Sequence, residues 1–528
     1  MILTSGRRLK TLVGRTFSYL VLTWCILILI INRYLGTHIT RGGSHLSAES
    51  KIFEGKLLVD NSPALSDLEF ATMLQNEIPN LPLRYWQTLK NDLPAMNKSC
   101  AKFPSILDLR FNNIYWQTLE TSNGTFYLYG AYYDNRTLEA KAPVVRILGM
   151  INRLKPQVQT TCQLWFKDSK TPVFTKVYEY KYIWVGQWGN HRDGLIQPYL
   201  ISCQIPVEYR HLVPESVSLV ENPCDMAVIN LRVINNVPEN GEKKEFAVCV
   251  KGLDYLNADL SVRLVEWFEI LHHLGADKIF LYEFEVHPNI TKVLNYYKKR
   301  GMVEVTPITL PAYQPNIKGL RHIYVKKKVT NKRQNELIPY NDCLYKNMYR
   351  YKYITLLDID EVIMPKGVNM LWKDLVENVS KKVPKGEKLK RSSYVIRNVY
   401  FFDTLHTSDK NPTLFDEIPR YMHIFQHVHR AMNHTKPGYY IKAFHNPQRV
   451  MTLHNHYPLA CIGGSCSPFS ISTEDAQLQH YRGDCVADLK KSCDYFKNYT
   501  VRDETIWRHK SPIISRVTET LHNLGFFS

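Results

Sequence analysis

At 528 residues, with 45% hydrophobic and 12% aromatic content, the chain is long enough for two or three domains and rules out a mostly disordered protein. Its net charge of +18 suits an anionic substrate or surface. Lys and Arg are scattered among glycosylation sequons with no nucleic-acid motif, so no nucleic-acid partner is expected.

Arg7, Arg8, Lys10 and Arg15 precede Thr16–Asn32, a run of 17 uncharged residues that Arg33 ends. As a helix it is about 26 Å long, near the thickness of a thin early-secretory bilayer. No small-residue cleavage site follows it. The expectation is a cytoplasmic tail at residues 1–15, an uncleaved signal-anchor transmembrane helix at 16–35 and a luminal remainder, the type II orientation. Ten cysteines lie beyond Cys25, enough for five disulfides, and Cys461-x4-Cys466 lacks the second pair of a zinc pattern. Sequons at Asn97, Asn123, Asn135, Asn289, Asn378, Asn433 and Asn498 agree with a glycosylated luminal protein.

Residues 36–95 are mostly polar with one apolar patch near Leu68–Leu74, and read as a stem. Residues 96–240 read as a small β-sandwich-like domain. Short aromatic and β-branched runs at 106–111, 125–129, 144–150, 163–166, 173–183 and 199–206 alternate there with turn signals such as Asn123-Gly124. Cys162 and Cys203 are placed to staple two strands, and Trp116, Trp184 and Trp188 suit core packing better than sugar binding.

From residue 241 to 528 the rhythm is strand and helix. Phe246–Val250 is a strand, and Asp259 or Asn257 caps a helix to His273 that Gly275 ends. Lys278–Tyr282, the helix Pro288–Arg300, Met302–Thr306 and the helix Pro339–Tyr349 follow. The basic run Arg321–Arg333 reads as a solvated loop. Later elements are a helix at 370–382, a strand at 393–401, and β-like segments at 439–444 and 449–453. This alternation implies a largely parallel, helix-flanked sheet, whose ligands bind outside the strands' carboxyl ends.

The stretch Tyr351–Gly367, YKYITLLDIDEVIMPKG, runs a buried strand into Asp358, Asp360 and Glu361. In an extended chain Asp358 and Asp360 point the same way, so one divalent ion could engage both, whereas Glu361 points to the opposite face. Carboxylates behind a buried strand need a cation.

Cys249-Val250-Lys251, Val265–Glu269, Leu274-Gly275-Ala276, Asn341–Leu344, Asp358–Glu361, Lys442, Pro447-x-Arg449-Val450, His456 and His480-Tyr481-Arg482 occur in this order. Together they resemble glycosyltransferase family 92, with weaker likeness upstream at Tyr127–Arg136 and Ser202–Pro206. The resemblance implies an α/β, GT-A-like (Rossmann-like) catalytic domain and a Golgi enzyme that inverts configuration. It also implies a nucleotide-sugar donor with manganese (magnesium as alternative), and members similar to β-1,4-galactosyltransferases that move galactose from UDP-galactose onto core fucose of N-glycans. Asp360 is then the direct metal ligand, Asp358 a ligand or ribose contact, and His480 a further ligand ahead of His456. Lys251, Asp342, Lys442 and Arg482 fall on the donor side, the cations facing phosphate. Inversion needs a base for the acceptor hydroxyl, for which Glu361, Glu474 and Asp475 qualify by type. The alternative is an inactive, membrane-anchored glycan-binding or adhesion protein, distinguished by absence of turnover.

Overall fold

The structure, a computed structural model, describes residues 64–89, 100–167, 169, 171–238, 240–408, 417–485 and 490–527. The tail, the anchor, most of the stem and Asn97 lie outside these residues. Among the described residues no helix is long and apolar enough to cross a membrane. Residues Leu65–Ser528 form one compact unit.

The last part of the expected stem is helical. Helix α1 (Asp67–Glu77) starts at a Ser66–Glu69 capping box, and α2 (Leu83–Leu89) follows. Both pack on the β-rich region, where Tyr85 Oη donates to Phe166 O at 3.1 Å and Trp86 Nε1 to Pro104 O at 3.1 Å.

The β-rich region is a closed barrel instead of a two-sheet sandwich. Its strands are β1 (Phe111–Asn113), β2 (Trp116–Thr121), β3 (Gly124–Asp134), β4 (Val144–Ile151), β5 (Thr161–Trp165), β6 (Val173–Tyr182), β7 (Gln197–Gln204), β8 (Ser216–Val220) and β9 (Leu231–Ile234). They form one sheet in the order 1-2-3-4-7-6-5-8-9, and β9 pairs back onto β3. Register shifts at Leu128/Gly130 and Val177/Glu179 supply the bends that closure needs. Ile106–Asp108, expected within a strand, is a 3-10 turn with Ser105 at its start. Alternate residues of β4 serve two cores. Val145, Ile147 and Ile151 face the barrel interior, while Leu148 and Met150 join the layer beneath the next sheet.

That second sheet is mixed α/β. Strand β10 (Lys244–Tyr255) leads to α3 (Ser261–Leu274), which begins where Asp259 Oδ1 accepts the Ser261 N–H. Next come β11 (Lys278–Val286), α4 (Pro288–Lys299) and β12 (Val303–Pro307). The expected basic loop is instead two helices, α5 (Lys318–Lys327) and α6 (Val329–Asn335). Arg321 is buried over the Phe284 ring and pairs with Glu285, so that cation is scaffold, while Lys326, Lys327, Lys328 and Arg333 face solvent. Helix α7 (Leu337–Asn347) is buried along its whole length and feeds β13 (Tyr351–Leu356). Then come β14 (Glu361–Pro365), α8 (Trp372–Lys382), β15 (Ser393–Ile396), β16 (Asn398–Phe402), α9 (His423–Gln426) and β17 (His429–Ala431). The chain ends through β18 (Lys442–His445), β19 (Val450–Leu453), β20 (Pro458–Cys461), β21 (Pro468–Ser470), β22 (Ala476–Arg482), α10 (Lys490–Asn498), β23 (Thr500–Arg502) and α11 (Lys510–Asn523). The run expected as one strand at 393–401 breaks at Arg397, so β15 and β16 enter different sheets.

The large sheet has the order 12-11-10-13-18-15-21, with β12, β11, β10 and β13 parallel and β18 antiparallel to β13. Within it the chain's first strand, β10, sits centrally, and connections leave it in opposite directions to β11 and β13. Such a switch point opens a crevice at the carboxyl ends of those strands. A three-stranded sheet, β14-β22-β16, stands beside it.

All ten cysteines beyond Cys25 are paired: Cys100–Cys224, Cys162–Cys203, Cys249–Cys343, Cys461–Cys466 and Cys485–Cys493. The second is the expected staple, from β5 to β7, and the third ties β10 to α7. Trp116 and Trp184 are buried in the layer between barrel and sheet, and Trp188 stacks on His454 at 4.4 Å. Of the sequons in the described residues, Asn135, Asn433 and Asn498 are exposed and Asn123, Asn289 and Asn378 half-buried.

Candidate functional site

The crevice at the switch point collects the charged residues. Lys251 leaves β10, and Asp358 follows β13, with Lys251 Nζ 2.8 Å from Asp358 Oδ1. Lys442 opens β18 with a fully buried side chain. Its Nζ lies 2.9 Å from Glu361 Oε2, 3.6 Å from Asp358 Oδ2 and 2.6 Å from Asn455 Oδ1. Burial opposes ionisation of Asp358, but Lys251 and then Lys442 outweigh it and hold the carboxyl well below its usual range. Lys251 is correspondingly held above its ordinary value, because Asp358 and Glu336 outweigh its burial.

The backbone between β13 and β14 is a tight turn and not the extended chain expected. The Glu361 N–H donates to Asp358 O at 3.0 Å, and Glu361 Oε2 accepts the Asp358 N–H at 2.8 Å. The turn cancels strand alternation. Glu361 therefore does not face away from the aspartates; it folds under them, between Lys442 and His480. Burial raises its carboxyl above the usual value despite Lys442. With its oxygens committed and 1% exposure, Glu361 is a strut for the turn and no base for an incoming acceptor.

Asp360 is the carboxylate that reaches the opening, with a 41% exposed side chain. Its Oδ2 is 3.4 Å from His480 Nε2. Pairing of β14 with β22 sets Glu361 opposite His480, and the Tyr481 N–H donates to Asp360 O at 2.8 Å, so the two segments are locked in register. His480 Nδ1 lies 3.2 Å from Asn398 Oδ1 and 3.6 Å from Glu361 Oε1. Both are acceptors, so Nδ1 carries a proton, and Nε2 faces Asp360. Burial raises the Asp360 carboxyl, but His480 outweighs it and the net position is below the usual range. An imidazole nitrogen converging with an exposed carboxylate, the ring's other nitrogen held by a neighbour, is a donor set that fits a divalent cation.

Other expected residues fall elsewhere. His456 donates Nδ1–H to Ile441 O at 3.1 Å and sits beside Lys442; burial and then Lys442 lower its pKa to about 3. Among the described residues no hydrogen bond or ion pair joins it to Asp360. Asp342 is fully buried and does not reach the crevice: Tyr132 and Tyr282 hydroxyls occupy its two oxygens, and Lys346 Nζ lies 2.7 Å from it. It fastens α7 to β3 and β11. Glu474 and Asp475 meet the far end of β14, where Asp475 O accepts the Lys366 N–H and Asp475 Oδ2 pairs with Lys382. Four to five residues of strand at about 3.3 Å each separate them from Glu361, so neither stands beside the aspartates. Arg482 ends β22, two residues beyond His480 and thus on the same face, with its Nε donating to Asp484 O.

Asn398, Asn455, Glu336 and Tyr340 escaped the sequence reading. Tyr340 Oη donates to the Asn455 Oδ1 that also receives Lys442, so these residues orient the lysine. Only Asn455, adjacent to His456, carried any local signal.

Residues 244–516 match the sequence model of glycosyltransferase family 92. The chain belongs to glycosyltransferase family 92 and is a glycosyltransferase. A family 92 enzyme requires a sugar donor and a glycan acceptor, and the crevice above is where its matched segments converge. No curated protein matches the chain. Solved structures similar to this family 92 chain include the bifunctional glycosyltransferase WbbM in its apo form, at 11% identity and TM-score 0.19. That likeness covers 50% of this chain and 37% of the WbbM chain.

Proposed function

We propose that the chain is a metal-dependent inverting hexosyltransferase of the GT-A type. It takes galactose from UDP-galactose to a glycan acceptor, an N-glycan with core fucose as the borrowed example, in the Golgi lumen. The observation that carries the reading is the convergence of Asp360 Oδ2 and His480 Nε2, 3.4 Å apart at the carboxyl edge of a parallel sheet. These two side chains would hold Mn²⁺ or Mg²⁺, which would supply positive charge to offset that of the departing nucleotide.

The chain's own residues do the rest. Lys251 and Lys442 keep Asp358 ionised and fixed, leaving it beside the donor instead of collapsing onto Asp360. Arg482, on the same strand face as His480, suits the diphosphate. The uncharged run Thr16–Asn32 with its positive flank, the sequons and five disulfides support a single-pass type II luminal enzyme.

The test is turnover of UDP-galactose, UDP-glucose, UDP-N-acetylglucosamine and UDP-N-acetylgalactosamine by the purified full-length chain, with and without manganese. Metal-dependent turnover of UDP-galactose alone is expected. Equal rates with and without metal, or a different preferred sugar, would contradict the metal or the donor assignment respectively.

A further inference from the structure

A second group of metal-ligating side chains stands apart from the crevice. Asp403 opens the 3-10 turn Asp403–Ser408 after β16, while His423 and His427 flank one turn of α9. Four residues apart on a helix, the two imidazoles share a face. Asp403 Oδ1 lies 3.1 Å from His423 Nε2 and 3.2 Å from His427 Nε2, and the three donor atoms all lie within 4.8 Å of one another. A tetrahedral zinc ion with bonds of about 2.0–2.1 Å sets its ligands about 3.3 Å apart. Two edges of the cluster already have that length.

The tautomer of His427 adds a second observation. Its Nδ1 is 2.5 Å from His423 O, a carbonyl that can only accept, so the proton sits on Nδ1. Nε2 then faces a carboxylate oxygen 3.2 Å away, as a metal ligand's outward nitrogen would. An imidazole whose outer N–H is held by a backbone carbonyl is the arrangement found behind metal-bound histidines.

The scaffold is firm and the approach open. Glu266 accepts the Ile424 and Phe425 N–H groups at 2.9 and 3.1 Å, and Trp507 Nε1 donates to Phe425 O at 2.9 Å. A groove of about 620 Å³ lined by Asp259, Arg263, Arg420, Tyr421, His423 and His427 leads to the cluster. The Asp403 side chain is 37% exposed, which leaves room for water as fourth ligand. Arg263 lies 4.0 Å from Asp403 Oδ2, on the oxygen that does not face the histidines.

We propose that Asp403, His423 and His427 form a second metal site, for zinc or a similar nitrogen- and oxygen-liganded transition ion, independent of Asp360 and His480. The Tyr481 ring is 6.4 and 6.5 Å from the two imidazoles, and Tyr481 and His480 face opposite sides of β22. The ion therefore sits behind the strand that presents His480 and ties the turn after β16 to α9.

The full-length chain, stripped with a chelator and dialysed against zinc alone, should retain one zinc per chain at micromolar free metal. Cobalt alone should give the intense visible absorption of a tetrahedral site. Asp403→Asn and His423→Gln, both at partly exposed positions, should bind zinc at least tenfold more weakly, with unchanged near-ultraviolet circular dichroism. Asp360→Ala should retain zinc as the parent does, which separates this site from the donor crevice. Absence of zinc in the parent chain, equal retention by Asp403→Asn, or loss of zinc in Asp360→Ala would each overturn the proposal.

Discussion

At the scale of residues, two aspartates in one Asp-x-Asp turn have different duties. Asp358 is locked between Lys251 and Lys442, and Asp360 stands at the opening beside His480. Asp360→Ala should lower transfer at least a hundredfold while changing stability by less than about 0.5 kcal/mol, as a partly exposed side chain allows. Asp358→Asn strips the buried Lys442 of a counter-charge and should cost about 3–5 kcal/mol as well as activity. Activity assays paired with denaturant unfolding separate the two, and equal stability losses would contradict the division. Glu474→Ala and Asp475→Asn should leave kcat/KM within about twofold of the parent, since both residues sit at the far end of β14. A large loss in either would restore them as base candidates.

Elements show where local pattern and tertiary context part company. Helix α7 is buried on every side, so its polar Asn341, Asp342 and Asn347 bond inside the protein and no amphipathic stripe marks its facing. The basic run at 321–333 is helical because buried Arg321 and Val325 anchor one face, a partnership with Glu285 and Phe284 that lies far away in sequence. Helix α3 carries a testable case. Glu266 is fully buried, and burial raises its carboxyl from 4.5 to about 7 against the N–H groups of α9 and the charge of Arg263. A raised pKa means that the folded chain holds this proton more tightly than the unfolded one. The resulting stability is complete below about pH 4.5 and is lost as pH rises to about 7. Glu266→Gln should flatten that part of the stability curve by about 3 kcal/mol, read from denaturant unfolding between pH 4.5 and 7.5. An unchanged slope would contradict it.

Across the whole molecule the barrel and the large mixed sheet share a core. Trp116, Tyr129, Tyr132, Leu148 and Met150 from the barrel pack with Phe280, Tyr282, Leu337, Tyr340 and Leu344. Polar bonds cross the same boundary, from Trp116 Nε1 to Thr309 O at 2.9 Å and from Arg136 Nη1 to Pro447 O at 2.7 Å. Arg136 is itself held by Asp134 at 2.7 Å, so two motif segments far apart in the chain, Asp134-x-Arg136 and Pro447-x-Arg449-Val450, meet in one joint. A chain truncated to begin at Lys244 would expose this aromatic layer to water. It should fail to show cooperative unfolding by calorimetry, and a cooperative transition in the isolated segment would refute the shared core.

The sequence by itself determined the α/β alternation from β10 onward and the family. Each of these depends on order along the chain, on residue type and on local periodicity. Tertiary structure alone decided closure of the barrel, because a pairing between β9 and β3 is invisible to strand patterns. It also decided the role of Glu361, since a turn in place of an extended segment overrides the alternation of side chains. Asp342 and His456 went the same way: which buried partner a polar side chain meets depends on packing between distant elements.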